Sequence, residues 1–353
     1  MKKSILSVPL YIVCLYLLST LISCNKENPI TPPPVPSILD SNYLDWSFDT
    51  IDIKIEYGIF VADTDNIFIP GRPYLINING GLVNYINYND NDFGSHCITG
   101  TNINNVFIGG ISLSLSKSKL KKWNGSTIED IALPMDTSSL FNLLAVSEND
   151  VWMTTTKNII YHYSNHLITT FRLDSNFSGG IIFKDNVGNI YSSFYVIKTG
   201  DYEYLNIYKF VNDTWVQVSK DSANRNLGIG YFIGFSGDKY LRNNASSIDY
   251  FNGTNWEKYI NLNGIIRPYI SGGGSPENIL FQADENYQAY VFYYDGTKFY
   301  RTPNRIFPDL TFGDMQYKFG RYYLSIEQDW FGKSYLGTGK IRSNNFNNSK
   351  LIK

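Results

Sequence analysis

Arginine is the residue type with the most evident capacity for recognition chemistry in this 353-residue chain. Seven of the nine arginines, Arg72, Arg172, Arg225, Arg242, Arg267, Arg301 and Arg305, fall in segments that differ from one part of the chain to the next, whereas the lysines are spread more evenly. A guanidinium fork takes carboxylates and sulfates through paired N–H donors, so this set reads as a surface for an anionic ligand. The competing reading is mutual ion pairing with Asp92, Asp130, Asp174, Asp284, Asp309 and Asp314, because exposed pairs of this kind are commonplace. Tyr74 and Tyr269 lie in the same segments and offer ring faces to a sugar or a protein. The candidate ligand-binding set is therefore Arg72, Arg172, Arg225, Arg267 and Arg305 with Tyr74 and Tyr269.

Other chemistries are poorly supplied. Three histidines, His96, His162 and His166, with no His-x-x-x-His or Cys-x-x-Cys spacing, do not make a transition-metal site. The stretch Asn87 to Asp92 alternates oxygen ligands as a hard cation prefers, but it lacks the glycine and terminal glutamate of a calcium loop and reads as a solvated loop. Gly337-Thr338-Gly339-Lys340 lacks the upstream glycine of a phosphate loop, and no Gly-x-Ser-x-Gly occurs. No catalytic residue, metal or cofactor is assigned. The net charge of −2 becomes −4 once Lys2 and Lys3 are removed with a leader, so nothing is left over to neutralise a nucleic acid.

A leader is expected because Met1-Lys2-Lys3 precedes an apolar run from Ile5 to Ile22. The run ends in Leu21-Ile22-Ser23-Cys24, which resembles the lipobox of bacterial lipoproteins. That resemblance implies cleavage after residue 23, lipidation of Cys24 and attachment to a membrane of the cell envelope, the outer membrane foremost, facing the periplasm or the exterior. An uncleaved membrane helix is the other reading of a run this long. Pro29, Pro32, Pro33, Pro34 and Pro36 follow, and a proline-rich segment favours extended polyproline II. Residues 24–42 thus read as a tether, whose stretch from Asn25 to Pro36 spans about 37 Å at about 3.1 Å per residue. Cys14 leaves with the leader and Cys24 takes the lipid, so Cys97 has no disulfide partner and reads as a small buried hydrophobe.

The elements that must position the arginines repeat. A turn residue followed by a large apolar one recurs at Asp65-Asn66-Ile67-Phe68, Asn105-Val106-Phe107, Asp150-Val151-Trp152, Asn189-Ile190-Tyr191, Asp238-Lys239-Tyr240, Asn278-Ile279-Leu280 and Gly320-Arg321-Tyr322. Their last residues are 39, 45, 39, 49, 40 and 42 positions apart, the period of a four-stranded propeller blade. Hairpins with Asn, Asp or Gly at the tip, such as Tyr250-Phe251-Asn252-Gly253-Thr254-Asn255-Trp256, number six, one fewer than the first halves. The seventh is divided between the ends: Tyr335 to Ile341 lacks an outgoing strand, and Tyr43 to Phe48 lacks an incoming one. Pairing them closes a ring and removes its open edges.

The expectation is all-β, a single propeller of seven four-stranded blades over residues 43–345, closed by N-terminal strand pairing with the last blade, and a tail at 346–353. The repeats resemble those of bacterial regulator-type and WD-repeat-like propellers, a likeness that specifies architecture and leaves function to the site. Regular turns gather on one face of such a disc, and the varying connections, which carry the arginines, on the other. The expected role is a monomeric, membrane-anchored, extracytoplasmic binding or scaffolding protein with a protein or glycan ligand on the variable-loop face. Two alternatives stay open: an envelope assembly factor, and a glycoside hydrolase or lyase. For the enzyme, Ser247-Ile248-Asp249 with Gly253 and Trp256 is loosely similar to the Asp-box turn of sialidases, with two residues too many before the glycine.

Overall fold

Short segments rich in β-branched and aromatic residues, punctuated by Asn, Asp and Gly, leave strands as the economical way to bury the apolar side chains. The computed structural model describes residues 38–40, 44–56, 58–173, 177–197, 202–224, 233–236, 239–244, 247–262, 266–270, 279–285, 288–301, 311–327 and 334–341, with 29 strands and no helix among them.

The first blade comprises β3 (Phe60–Val61), β4 (Asn66–Pro70), β5 (Tyr74–Asn79) and β6 (Leu82–Asn87). The second is β7 (Phe93–Asn102), β8 (Asn105–Ser112), β9 (Ser118–Trp123) and β10 (Ile128–Ile131). The third is β11 (Leu140–Ser147), β12 (Asp150–Thr155), β13 (Ile159–Ser164) and β14 (Leu167–Arg172). Blade four is β15 (Phe177–Lys184), β16 (Ile190–Ile197), β17 (Tyr202–Val211) and β18 (Thr214–Asn224), and blade five is β19 (Ile233–Ser236), β20 (Lys239–Asn244), β21 (Ser247–Phe251) and β22 (Trp256–Asn261). Blade six holds β23 (Ile266–Ile270), β24 (Ile279–Glu285), β25 (Gln288–Tyr294) and β26 (Phe299–Arg301), with β1 (Ile38–Asp40) added in parallel outside β26. The last blade joins β27 (Thr311–Lys318), β28 (Arg321–Glu327) and β29 (Ser334–Ile341) to β2 (Leu44–Ile51).

The expected ring closure is present: β2 runs antiparallel to β29 from Leu44 opposite Ile341 to Ile51 opposite Ser334. Trp46 packs on Gly339 and Phe48 on Gly337; a Cβ would stand 3.0 Å from the indole at Gly339 and 3.1 Å from the phenyl ring at Gly337, so the glycines make room for the two rings. The seven-bladed propeller has no blade lacking its outer strand.

Each junction between neighbouring blades has its own apolar core. Phe107 and Leu120 meet Val151, Met153 and Tyr161 between blades two and three, and Ile67, Ile69, Ile76 and Ile78 meet Tyr323 and Leu336 where blade one closes on blade seven. The outer-strand tryptophans face the preceding blade: Trp215 packs edge-on to Trp152 at 5.6 Å, and Trp256 joins the core between blades four and five. Near the axis the inner strands expose an unpaired edge, whose N–H groups must find acceptors. Side chains of the neighbouring blade supply them: Thr99 Oγ1 accepts from Ala145 N–H, Asn142 Oδ1 from Ile182 N–H, and Gln316 Oε1 from Val61 N–H.

Asn and Asp mark the regular turns for a specific reason. Asn124, Asn252 and Asp295 each accept the two backbone N–H groups two and three residues on, closing four-residue turns in blades two, five and six. In these turns Gly125, Gly253 and Gly296 take φ of 94°, 98° and 89°, open to glycine at little cost. Blades one, three and four use two-residue turns with both φ positive, Gly80-Gly81, Asn165-His166 and Asn212-Asp213.

Candidate functional site

The variable-loop face carries the connections from the second to the third strand of each blade and from each blade to the next. Arg72 is exposed in the first of these, between β4 and β5. Arg172 is exposed at the end of β14, on the outer rim of blade three. Tyr74 begins β5, and its ring meets Tyr85 edge-on at 5.8 Å, so it is committed to packing on the outside of blade one. Arg267 and Tyr269 belong to β23, the innermost strand of blade six. Cys24, Arg225 and Arg305 lie outside the described residues. Among the described residues the fold thus distributes the candidate arginines over blades one, three and six rather than gathering them at one point.

Arg242 is a different kind of residue. It is 7% exposed, its Nη1 donates to Asp221 on blade four, its Nε and Nη2 donate to Asp249 Oδ2 at 3.3 Å, and its guanidinium lies 4.4 Å from the Trp256 ring. Asp249 also accepts from Ser247 Oγ and Asn244 Nδ2. This arginine clasps two blades and is not available to a ligand, and the Asp249 that resembled an Asp-box residue is its buried counter-ion.

The acidic stretch of blade two is likewise engaged. Lys119 Nζ sits 2.9 Å from Asp90 and 3.1 Å from Asp92, and the buried Lys121 Nζ bridges Asp90 at 3.0 Å and Asp130 at 2.5 Å. Asp92 also accepts from Ser112 Oγ at 2.6 Å and from Ser114 N–H at 2.6 Å, and these bonds hold its carboxyl well below the usual range. Burial works to raise Asp90, yet the hydrogen bonds from Lys119 and Lys121 outweigh it and keep the carboxyl low. The stretch is an ion-paired buttress for the neighbouring loop, not a free solvated one.

That loop leads to a feature outside the arginine set. Leu113 (41% exposed), Leu115 (59%), Met135 (82%) and Phe141 (45%) all lie on the variable-loop face of blades two and three. Hydrogen bonds tie their segments together. Ser118 Oγ donates to Ser138 O, Thr156 N–H to Ser139 O, and Ser139 N–H to Thr156 Oγ1, while Ser139 Oγ and His96 Nδ1 are 2.7 Å apart. Two ammonium groups border the patch. Lys117 Nζ stands 2.9 Å from Met135 Sδ, and Lys157 Nζ donates to Thr137 Oγ1 at 2.8 Å; neither forms an ion pair among the described residues. Asp136 in the same loop accepts from Ser138 Oγ and lies near the Tyr161 hydroxyl, whose pKa rises to about 12 through burial and that carboxylate, against the pull of Arg172. The signal available in sequence was Leu113-Ser114-Leu115, two leucines inside a segment that otherwise reads as a polar loop.

A concavity of about 180 Å³ opens on the regular-turn side between blades seven and one, lined by Asp49, Asp65, Gly80, Arg321 and Tyr323 among others.

The sequence matches no protein-family model and no curated protein. Solved structures do share the architecture. YCF48 bound to D1 peptide superposes with a TM-score of 0.62 at 12% identity, over 85% of this chain and 98% of that one. YCF48 from Cyanidioschyzon merolae gives 0.58 at 12% identity, over 82% and 98%. The extracellular domain of the hybrid two-component system BT3049 from B. thetaiotaomicron gives 0.57 at 12% identity, over 86% of this chain and 41% of that one. At this identity the likeness is one of fold, and it agrees with the strand pairing in making this chain a seven-bladed β-propeller.

Proposed function

We propose that this chain is a lipid-tethered protein of the cell envelope that binds polypeptide partners through the variable-loop face of its propeller. The observation that carries this reading is the exposure of Leu113, Leu115 and Met135 on neighbouring loops that hydrogen bonds and ion pairs hold in place, with Phe141 exposed at the start of β11. Clustered exposed apolar side chains in a rigid setting mark interaction surfaces, and Met and aromatic residues are enriched there. A propeller of similar fold solved with a peptide bound supports a polypeptide as the ligand. Export and attachment through Cys24 rest on the lipobox resemblance and complete the proposal, with the residues between Cys24 and β1 as tether, since Ile38–Asp40 of the expected 24–42 tether pair with blade six.

Completing the burial of four half-exposed side chains contributes about 1 kcal/mol each, about 4 kcal/mol in all. The loss of translational and rotational freedom on association costs at least as much, so a functional complex needs further contacts from the surrounding loops. The test is site-specific photo-crosslinking in cells. A photoreactive residue at Leu115 or Phe141 is expected to trap a discrete protein adduct, and one at Leu82 or Leu167 on the outer strands is not. Adducts from the outer positions alone would overturn the assignment of the face. Cys24→Ser should release the chain from the membrane fraction; unchanged membrane association would remove the tether from the proposal.

A further inference from the structure

The concavity between blades seven and one holds polar groups that the fold leaves unused. Its floor is apolar, made by Ile67 and Ile78 of blade one and the ring of Tyr323 of blade seven. Tyr323 faces blade one as Phe68 faces blade two and Phe107 faces blade three, so packing at this place asks only for a ring. The hydroxyl is surplus to that packing. Tyr323 is 0% exposed, and its oxygen is the one atom among those lining the concavity that is buried without a hydrogen-bond partner among the described residues. A buried hydroxyl left unpaired is disfavoured, and native folds retain few of them.

Charges of both signs stand around this hydroxyl without meeting. Arg321, two residues earlier on β28, forms no ion pair among the described residues, although Asp49 and Asp65 line the same concavity with carboxylates that accept no hydrogen bond there. Asn66 and Asn105, which begin the second strands of blades one and two, bond back into their own turns through Asp63 and Thr101; Arg321 makes no such bond. Burial raises the pKa of the Tyr323 hydroxyl, Arg321 draws it down and Asp65 pushes it up, so the hydroxyl lies in the field of both charges. The mouth is open as well. Blade one closes its outer hairpin with Gly80-Gly81, and a Cβ on either would meet nothing within 4 Å. Blades three and four place Asn165-His166 and Asn212-Asp213 at that turn with the same positive φ, so the turn itself admits side chains.

Size narrows the ligand. A volume of about 180 Å³ slightly exceeds the roughly 150 Å³ of a cavity that takes up benzene, and falls below the roughly 300 Å³ at which drug-sized sites begin. It suits a single amino acid of medium size rather than an oligosaccharide, and the buried Tyr323 ring gives a sugar no face to stack on. We infer that this concavity binds a free zwitterionic α-amino acid with an aliphatic side chain, its carboxylate on the Arg321 guanidinium and the Tyr323 hydroxyl, its ammonium on Asp65 and Asp49, and its side chain over Ile67 and Ile78. A ligand with one charge satisfies half of the site and leaves the opposite charge beside it unpaired, which sets the preference for a zwitterion. The site lies on the regular-turn side and does not rest on the polypeptide reading of the other face.

The experiment is titration calorimetry on the full chain with leucine, isoleucine, valine and methionine, and with leucinamide and N-acetyl-leucine, which lack the carboxylate and the ammonium charge respectively. The best free amino acid should bind at least about tenfold more tightly than either derivative. Arg321→Gln should bring leucine down to the level of leucinamide, and Asp65→Asn down to that of N-acetyl-leucine. Tyr323→Phe keeps the ring and removes only the unpaired hydroxyl, so it should weaken leucine about threefold or more while leaving the urea midpoint unchanged or raised. N-acetyl-leucine binding as tightly as leucine overturns the inference and makes this an anion site. Leucinamide doing so overturns it in favour of a basic side chain as the occupant. Absence of binding by all four amino acids, or binding that neither Arg321→Gln nor Asp65→Asn weakens, overturns it outright. The crosslinking test of the polypeptide reading is unaffected by any of these results.

Discussion

Replacing Arg242 by methionine tests whether blades four and five are held by a buried charge clasp. The change preserves most of the side-chain volume while removing every donor that Arg242 contributes. Asp221 is 36% exposed at its side chain and can regain water, so its share of the loss stays within about 1 kcal/mol. Asp249 is 5% exposed and cannot; it keeps only the neutral donors Ser247 Oγ at 2.7 Å and Asn244 Nδ2 at 2.9 Å. An ion left buried without its counter-ion costs about 3–5 kcal/mol. The contact with Trp256, 4.4 Å from the guanidinium, is partly replaced, since a thioether also packs favourably on an indole. The net expectation for Arg242→Met is a loss of about 4 kcal/mol, read as a fall of about 1 M or more in the urea midpoint followed by tryptophan fluorescence. Adding Asp249→Asn removes the stranded charge; its amide oxygen still accepts from Asn244 Nδ2 and its new N–H can donate to Ser247 Oγ, so the change should restore more than half of the loss. A single variant within about 1 kcal/mol of the parent, or a double variant no better than the single, would refute the reasoning.

Three further outcomes follow from the same structure. Burial raises the Asp314 carboxyl to about 6, against N–H groups of Met315 and Ile59 that favour the charged form; its folded pKa lies above the unfolded value near 3.9. The folded state therefore loses stability as pH rises from about 4 to 6, by up to about 3 kcal/mol and less in so far as the residue retains some exposure. Asp314→Asn should match the parent at pH 4 and exceed it at pH 7, and parallel pH–stability profiles would contradict this. Gln316→Ala strands Val61 N–H and Ile59 O at the junction of blades seven and one and should cost about 1–3 kcal/mol, with faster hydrogen exchange at the Val61 amide; unchanged protection there would count against the junction bond. Asp92→Ala frees Ser112 Oγ and Ser114 N–H, so the 113–117 loop should become more mobile by NMR relaxation while β8 and β9 keep their exchange protection; a loop as rigid as before would show that other contacts hold it.

The architecture was legible because it is made of local signals that recur. A side-chain acceptor two or three residues before the N–H groups it caps is a short-range device, so Asn124, Asn252 and Asp295 announce their turns without reference to the rest of the chain. The closing strand was legible for the opposite reason: Trp46 and the pair Gly337 and Gly339 are each incomplete alone and complementary together. What escaped depends on distances that no local pattern encodes. Arg242 shares the composition of a ligand-binding arginine, and only the approach of Asp221 from the neighbouring blade makes it structural. The three residues of β1 have no counterpart in the repeat, so nothing in the spacing places them beside β26. The leucines of the 113–117 loop are visible as letters, but their exposure follows from how Asp92 holds the loop backbone.

That backbone restraint bears on how the face would work. Flexible loops carrying Leu113, Leu115 and Met135 would tend to fold them onto themselves or onto the adjoining core, and a partner would have to reverse that collapse while ordering the loops. Here the Asp90, Asp92, Lys119 and Lys121 network, with the Ser118–Ser138 and Ser139–Thr156 bonds, fixes the segments before any partner arrives. Polar groups thus form the foundation of these loops, and the apolar side chains of Leu113, Leu115 and Met135 are left exposed above them.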